Sequence, residues 1–406
     1  MKVLLTHNYY GSANPSGENQ VFEAERKLLE KNNHEVFQFT RHSDVIRSKG
    51  LWGLMQGSFS TPWNFFAALE IQRKVKFYQP DVVHVHNTFP LLSPAIFYAI
   101  GYRAARVLTL HNYRLFCPAG IPSRGGEICT DCMNKHSVMP AIQHCCYRNS
   151  RLATFPLAAN VALHRLLGTW TQQVDGFITL SEFQREWFVK LGIPAELLHV
   201  KPNFYPSNPI SISWEERQLN VVFVGRLTKE KGLTTLLKAW ILWGSSAPEL
   251  CIVGDGELRA ELEELAATSP DVPIRFLGML DSAAAQSEIA NARLLVLPSE
   301  WFEGLPMVLI EAFAHGTPVI ASNIGSLSAI VQHGDNGMLF EMGNSYSLFN
   351  AVRNVWMMEG ELEHLSAGAR ITFDTLYSEE YNYVKLMNIY KEAIAVNIQR
   401  RRCSGK

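Results

Sequence analysis

Short apolar runs alternate along this chain with longer stretches whose apolar positions recur at helical spacing. Residues 3–6, 35–39, 81–86, 107–110 and 177–180 are such runs, and each predicts a buried strand. Residues 21–31 place Val21, Phe22, Leu28 and Leu29 on one side of a predicted helix. The pattern stops at residues 201–209, where Pro202, Pro206 and Pro209 fall close together. It then restarts with runs at 220–224, 250–253, 274–277, 294–297 and 318–321, each followed by a glycine-containing turn and a helical stretch. Strands alternating with helices predict a parallel sheet covered on both faces. The restart predicts an α/β chain of two Rossmann-like, doubly wound domains, over residues 1–204 and 205–378. A last periodic stretch, about 379–395, predicts a helix ahead of a basic tail at Arg400, Arg401 and Arg402. Ligands of such sheets bind beyond the carboxyl ends of the strands, so the cleft between the domains is the expected site.

Composition narrows the picture. With 406 residues, 47% hydrophobic and 18% charged, the chain can bury two sizeable cores. A net charge of −1 excludes a protein whose whole surface binds nucleic acid, and no nucleic-acid partner is expected. The charge is uneven. Up to Phe204 there are 21 Lys/Arg against 14 Asp/Glu, and beyond it 16 against 24. The basic half suits an anionic neighbour such as a membrane surface or a phosphorylated lipid. No stretch supplies the roughly 20 apolar residues a spanning helix needs. The best candidate, residues 152–170, is interrupted by Asn160, His164 and Arg165. The opening residues are too short for a secretory signal, so a cytoplasmic location is expected, with cysteines reduced or metal-bound.

The residues that carry chemistry cluster in the second half. In residues 297–311 a predicted strand ends at Leu297 and a helix is expected to begin near Leu305, with Pro306 in its first turn. Backbone N–H groups at such a start favour a phosphate. Glu303 precedes the helix and Glu311 lies two turns into it, so the pair can hold hydroxyls at two ends of an extended ligand. After the strand 220–224 come Gly225, Arg226 and, further on, Lys231 and Gly232. Gly225 permits a close turn, and the two cations can neutralise a leaving diphosphate. Gly254-Asp255-Gly256 is a tight strand-to-helix turn that lacks the full dinucleotide fingerprint, so a nicotinamide cofactor is not indicated.

These three elements, in this order, resemble the "glycosyl transferases group 1" family, or family 4, of retaining glycosyltransferases with the GT-B fold. The resemblance covers essentially the whole chain. It implies a final helix that crosses back to the N-terminal domain, and a nucleotide-sugar donor, UDP- or GDP-linked, bound mainly to the C-terminal domain. Arg226 and Lys231 would bind its diphosphate, Glu311 the ribose and Glu303 the sugar hydroxyls. Gly304, Leu305 and Pro306 would lie against the sugar-phosphate, and Gly225, Gly254 and Gly256 would line the nucleotide pocket. Gly17, in the run Ser16-Gly17-Glu18-Asn19, matches the family's glycine-rich loop only loosely, since many members have two glycines there. His111 matches the family's active-site histidine, and His86, at the end of the preceding strand, is a weaker candidate. The chain has no Asp-x-Asp, which speaks against metal-dependent GT-A enzymes and for metal-independent catalysis without a cofactor. The expected reaction moves a hexose or N-acetylhexosamine, with retention, to a polyprenyl-diphosphate-linked saccharide in surface polysaccharide assembly, at the inner membrane surface. A nucleotide-sugar epimerase of the same fold, or a non-catalytic binding subunit, are the alternatives.

Five of the seven cysteines fall in an insertion at about 114–150. Cys129 and Cys132 form a C-x2-C knuckle that Cys117 and Cys146 can complete as a tetrahedral zinc site, with His136 and His144 as spare ligands. Buried reduced thiols and a redox role are the other readings. The same segment carries Arg114, Arg124, Lys135, Arg148 and Arg151 ahead of the apolar 152–170, a pattern that suits contact with a membrane or lipid diphosphate.

Overall fold

The computed structural model describes residues 1–11, 17–48, 50–358 and 360–405. Ser16 lies outside the described residues. The chain forms two units. The first comprises Met1–Pro122, Cys129–Pro202 and Asn382–Lys406, and the second Ser123–Ile128 and Asn203–Tyr381.

The first unit holds a sheet of β1 (Lys2–Tyr9), β2 (Glu35–His42), β3 (Val82–Val85) and β4 (Ala105–Leu110). After a separate antiparallel pair, β5 (Ser123–Arg124) and β6 (Glu127–Ile128), it continues with β7 (Gly176–Thr179) and β8 (Leu198–Val200). The strand order is β2-β1-β3-β4-β7-β8, with every pair parallel. The central strands are buried on both faces, which is why they read as continuous apolar runs rather than alternating ones. Their core includes Val3, Leu5, Phe22, Leu29, Val107 and Ile178, together with Leu386, Ile389, Tyr390 and Ala393 of the last helix. That helix therefore completes the first unit's core although the second unit's Asn203–Tyr381 separates most of it in sequence from the rest of that unit.

The last helix runs Glu379–Cys403, so Arg400, Arg401 and Arg402 lie on its final turn and not on a tail. The cause is long-range bonding by Arg400. Arg400 donates to the carbonyl oxygens of Thr171, Gln172 and Val174 and lies 3.3 Å from Asp175. Asp175 is itself fully buried and pairs bidentately with buried Arg106, at 2.9 and 2.8 Å. Guanidinium groups at a helix C-terminus also offset the helix dipole.

The second unit holds β9 (Gln218–Val224), β10 (Glu249–Val253), β11 (Ile274–Gly278), β12 (Ala292–Leu297), β13 (Val319–Ser322) and β14 (Gly337–Phe340). Their order is β11-β10-β9-β12-β13-β14, again all parallel. Val221, Phe223, Ile252, Leu294 and Val296 pack with Trp240, Leu348 and Val352 from the covering helices. In the two large sheets, β8 and β14 were not expected from the sequence. Both are edge strands of only three and four residues, and Gly337 opens β14 because a Cβ there would fall 2.0 Å from the Val319 carbonyl oxygen.

Candidate active site

In the second unit the strand order reverses between β9 and β12. The loops that follow these strands, 225–232 and 298–306, therefore leave the sheet side by side, at the point where doubly wound sheets bind ligands. Glu300 N–H donates to the Glu230 carbonyl at 2.9 Å, and Thr235 Oγ1 donates to Glu300 Oε1 at 2.7 Å. Gly232 adopts φ +69°, and a Cβ there would lie 1.9 Å from the Pro298 carbonyl oxygen. Only glycine allows the two loops to meet this closely.

Their meeting joins Lys231 to Glu303. Lys231 Nζ donates to Glu303 Oε1 at 2.6 Å. Ser299 Oγ and Trp301 Nε1 donate to the same oxygen, at 2.9 and 3.0 Å. Glu303 is buried, Lys231 is partly exposed, and the ammonium sits 5.7 Å over the Trp301 ring. Three donors on one oxygen hold the carboxylate still, while Oε2 takes none of them. Ser299 and Trp301 were not singled out from the sequence. Both lie within four residues of Glu303, so a buried polar residue and an indole beside a candidate carboxylate were the available signal.

Arg226 is placed differently. Its side chain is exposed and lies 3.6 Å from Glu230. The glycines of the neighbouring turns serve close backbone contact. Gly254 has φ +134°, and a Cβ there would lie 1.9 Å from the Gly225 carbonyl oxygen; one on Gly256 would lie 2.5 Å from that of Leu227. Gly225 N–H donates to Val253, and Leu227 N–H to Asp255, each at 3.0 Å. These glycines lock the β9 and β10 loops together before any ligand arrives.

The helix expected near Leu305 runs Met307–Ala314. Gly304 and buried Leu305 lead into Pro306, which is its N-cap with ψ 127°, an extended value that ends the loop two residues later than expected. No side chain caps this helix start. Glu311 sits in its second turn. Burial raises its pKa to about 6, with a hydrogen bond to Gln286 pulling the other way.

The first unit contains a second group of polar residues, at the carboxyl ends of β3 and β4. His86 and His111 line a pocket there with Asn112, Arg114, Asn160 and Trp170. His86 Nδ1 and His111 Nε2 are 3.2 Å apart, and their rings stack at 5.4 Å. Behind them, Glu25 Oε1 lies 3.2 Å from His86 Nε2 and 2.7 Å from His84 Nδ1, and Lys201 Nζ donates to Glu25 Oε2 at 3.1 Å. Glu25, His84, His86 and Lys201 are all buried. Burial acts to raise the Glu25 pKa, but Lys201, His84 and His86 together hold it well below the usual carboxylate value. Burial pushes His86 down to about 4 and His111 well below 6.5, with neighbouring histidines adding to the effect. Gly17 is exposed in the first turn of the helix Gly17–Lys31, while its neighbours Glu18 and Asn19 bond to Asn112 and His7, each at 2.9 Å. Glu25 was missed by sequence reasoning. Its signal was a carboxylate among the buried positions Val21, Phe22, Leu28 and Leu29 of one helix.

None of the seven cysteines forms a disulfide. Cys117 Sγ receives the backbone N–H groups of Ala119 and Gly120, and Cys132 Sγ that of Ala141. Among the described residues, Glu25, His84 and His86 are the group whose ligand-type atoms lie within 4.8 Å of one another; Cys117, Cys129, Cys132 and Cys146 do not gather so closely.

Residues 17–207 match the family described as "Glycosyltransferase Family 4", and residues 218–357 match "Glycosyl transferases group 1". The chain belongs to the group 1 glycosyltransferases. The second match begins at β9 and takes in both the Lys231 and the Glu303 loops. This group 1 glycosyltransferase is 31% identical over 253 residues to an uncharacterized glycosyltransferase of Methanocaldococcus jannaschii, covering 57% of this chain and 64% of that one. It is 30% identical over 196 residues to a phosphatidyl-myo-inositol mannosyltransferase of Mycobacterium leprae, covering 46% and 51%. The chain thus spans between about half and two thirds of the length of these curated relatives. Its fold matches the crystal structure of Anabaena HepE in complex with UDP, with a TM-score of 0.63 at 17% identity over 96% of this chain and 99% of that one. The two parallel sheets are those of the GT-B fold.

Proposed function

We propose that this protein is a retaining glycosyltransferase that moves a hexose or N-acetylhexosamine from a UDP- or GDP-sugar to a lipid-linked saccharide. The observation that carries the reading is the Lys231–Glu303 pair at the strand-order reversal of the second unit, beside an uncapped helix start. An ammonium and free N–H groups there suit a diphosphate, and a fixed carboxylate suits sugar hydroxyls. Nucleotide arrival would draw Lys231 from Glu303 to the diphosphate, while Ser299 and Trp301 keep the carboxylate in place. Arg226, exposed and 3.6 Å from Glu230, can swing to the same phosphates. Glu311 would take the ribose hydroxyls, with Gly225, Gly254, Gly256, Gly304, Leu305 and Pro306 shaping the pocket, and Gly17 near substrate in the first unit. The step follows from these parts. The C1–O bond to the diphosphate breaks, the acceptor oxygen bonds C1 on the same face, and its proton passes to the leaving phosphate oxygen. Lys231 and the helix start stabilise the charge that develops there, without a catalytic metal.

The lipid-linked acceptor is supported by the first unit's basic excess and by apolar side chains left in the open. Leu152 and Phe155 on the helix Arg151–Leu166, and Trp52, Phe59 and Phe66 nearer the N-terminus, are all more than half exposed. Among the described residues no helix is long and apolar enough to cross a membrane. Such a face suits peripheral contact with the inner leaflet of the cell membrane. The name of the Mycobacterium leprae relative, a phosphatidyl-myo-inositol mannosyltransferase, contains a lipid and points the same way. Surface polysaccharide assembly is the setting the family resemblance suggests. A zinc ion on Cys117, Cys129, Cys132 and Cys146 would have to draw these thiols closer together than they stand; it would order the insertion and take no part in transfer. Burial favours the neutral Cys117 thiol, which donates to the Ile121 carbonyl at 3.6 Å, so metal binding would have to displace that proton. One equivalent of zinc in purified protein, lost in Cys132→Ser, is expected; a metal-free, fully folded protein would remove this part of the reading.

Melting the protein against UDP-, GDP-, ADP- and dTDP-sugars tests the donor site. A donor at ~100 times its dissociation constant adds about 2.7 kcal/mol of stability. One nucleotide class should stabilise the wild type and not Arg226→Ala or Glu311→Ala. No stabilisation by any class would favour a non-catalytic subunit.

A further inference from the structure

The first unit's buried polar chain ends at His111, and its proton positions can be worked out from the far end. Glu25 accepts Lys201 on Oε2 and faces two imidazole nitrogens with Oε1. An ionised carboxylate 3.2 Å from His86 Nε2 requires a proton on that nitrogen. Burial disfavours an imidazolium at His86, so its Nδ1 carries only a lone pair. That lone pair faces His111 Nε2 at 3.2 Å, which requires the proton of His111 to sit on Nε2. The Nδ1 of His111 is then bare, on a residue that lines the pocket.

We propose that Glu25 and His86 are positioning residues that fix His111 in the Nε2–H tautomer, so that His111 meets a substrate hydroxyl as a hydrogen-bond acceptor through Nδ1. The proposal rests on the glycosyltransferase reading. His111 orients the hydroxyl rather than taking its proton, because burial and the neighbouring His86 and His7 disfavour its charged form. Glu25, His84 and His86 hold no place for a metal in this arrangement. The Lys201 ammonium already neutralises Glu25, and His84 uses Nδ1 toward Glu25 and Tyr390 and Nε2 toward Thr109.

Two measurements test this. The long-range proton–nitrogen NMR spectrum of protein labelled on histidine side chains, assigned with His86→Phe and His111→Asn, reads the tautomers without any substrate. Both His86 and His111 should be protonated at Nε2 and bare at Nδ1. A proton on Nδ1 of His111, an imidazolium at neutral pH, or a His86 bare at Nε2 would overturn the proposal. In kinetics, His86→Phe should lower kcat by about 10²-fold with little change in KM for the nucleotide-sugar. The double variant Glu25→Gln/Lys201→Met, which leaves no buried charge unpaired, should show the same loss while still folded. Undiminished kcat in both variants would contradict the positioning role. Nucleotide binding, read by thermal stabilisation in these same variants, reports separately on the donor-site reading and should persist.

Discussion

The two units carry similar sheets but treat charge in opposite ways. In the second unit, Lys231 and Glu303 pair at the mouth of two loops, with the lysine still reachable by solvent. In the first, Lys201 and Glu25 pair in full burial behind His86 and His111, whose charged forms burial disfavours. A partly exposed pair can exchange its partner for a ligand's phosphate at modest cost. A buried pair cannot, because either ion left alone would carry a large desolvation penalty. The first kind of pair suits binding a charged substrate; the second suits holding neighbouring groups in one arrangement.

Breaking the buried pair should have the largest effect. Lys201→Met leaves Glu25 uncompensated and should destabilise the fold by about 3–5 kcal/mol, measured by urea unfolding. The pH dependence has a definite sign. Glu25's folded pKa is depressed, so its contribution to stability is complete above its ordinary value of 4.5 and is lost as pH falls through the depressed value. Glu25→Gln/Lys201→Met should lose that acid-side dependence. Lys231→Ala sharpens the contrast from the other side. It should lower kcat by about 10²–10³-fold, equivalent to ~3–4 kcal/mol in the transition state, yet leave the urea midpoint nearly unchanged.

Smaller effects follow. Gly254→Ala places a Cβ against the Gly225 carbonyl at a backbone angle L-residues avoid, and should destabilise the second unit by about 1–3 kcal/mol. Glu311 titrates at about pH 6 in the free protein. If its carboxylate takes the ribose hydroxyls, affinity for a nucleotide-sugar should rise about tenfold from pH 5 to 7, and Glu311→Gln should flatten that rise. Smallest, and in the first unit alone, binding to anionic vesicles should weaken as salt rises; binding indifferent to both salt and lipid charge would remove the proposed membrane face.

Much of this was legible in the sequence wherever the signal is local. Apolar runs marked ten of the twelve strands of the two large sheets, because strands buried on both faces leave no polar alternation. The run from Leu297 to Glu311 showed a strand, a loop with a carboxylate and a helix in order. What stayed hidden depends on long-range neighbours. Lys231 meets Glu303 across 72 residues only because β9 and β12 are adjacent, and Lys201 meets Glu25 across 176. Arg400–Arg402 read as a tail because the partners of Arg400, Asp175 and the carbonyls of Thr171, Gln172 and Val174, lie more than 220 residues away. Glu25 was passed over because its partners, His84, His86 and Lys201, lie far from it in sequence.

The most direct test of the central claim is calorimetric titration of UDP and GDP into the wild type, Lys231→Ala and Glu303→Gln. One nucleotide should bind the wild type and bind Lys231→Ala at least tenfold more weakly, with Glu303→Gln close to wild type because Glu303 serves the sugar. Equal affinity for wild type and Lys231→Ala would contradict that claim.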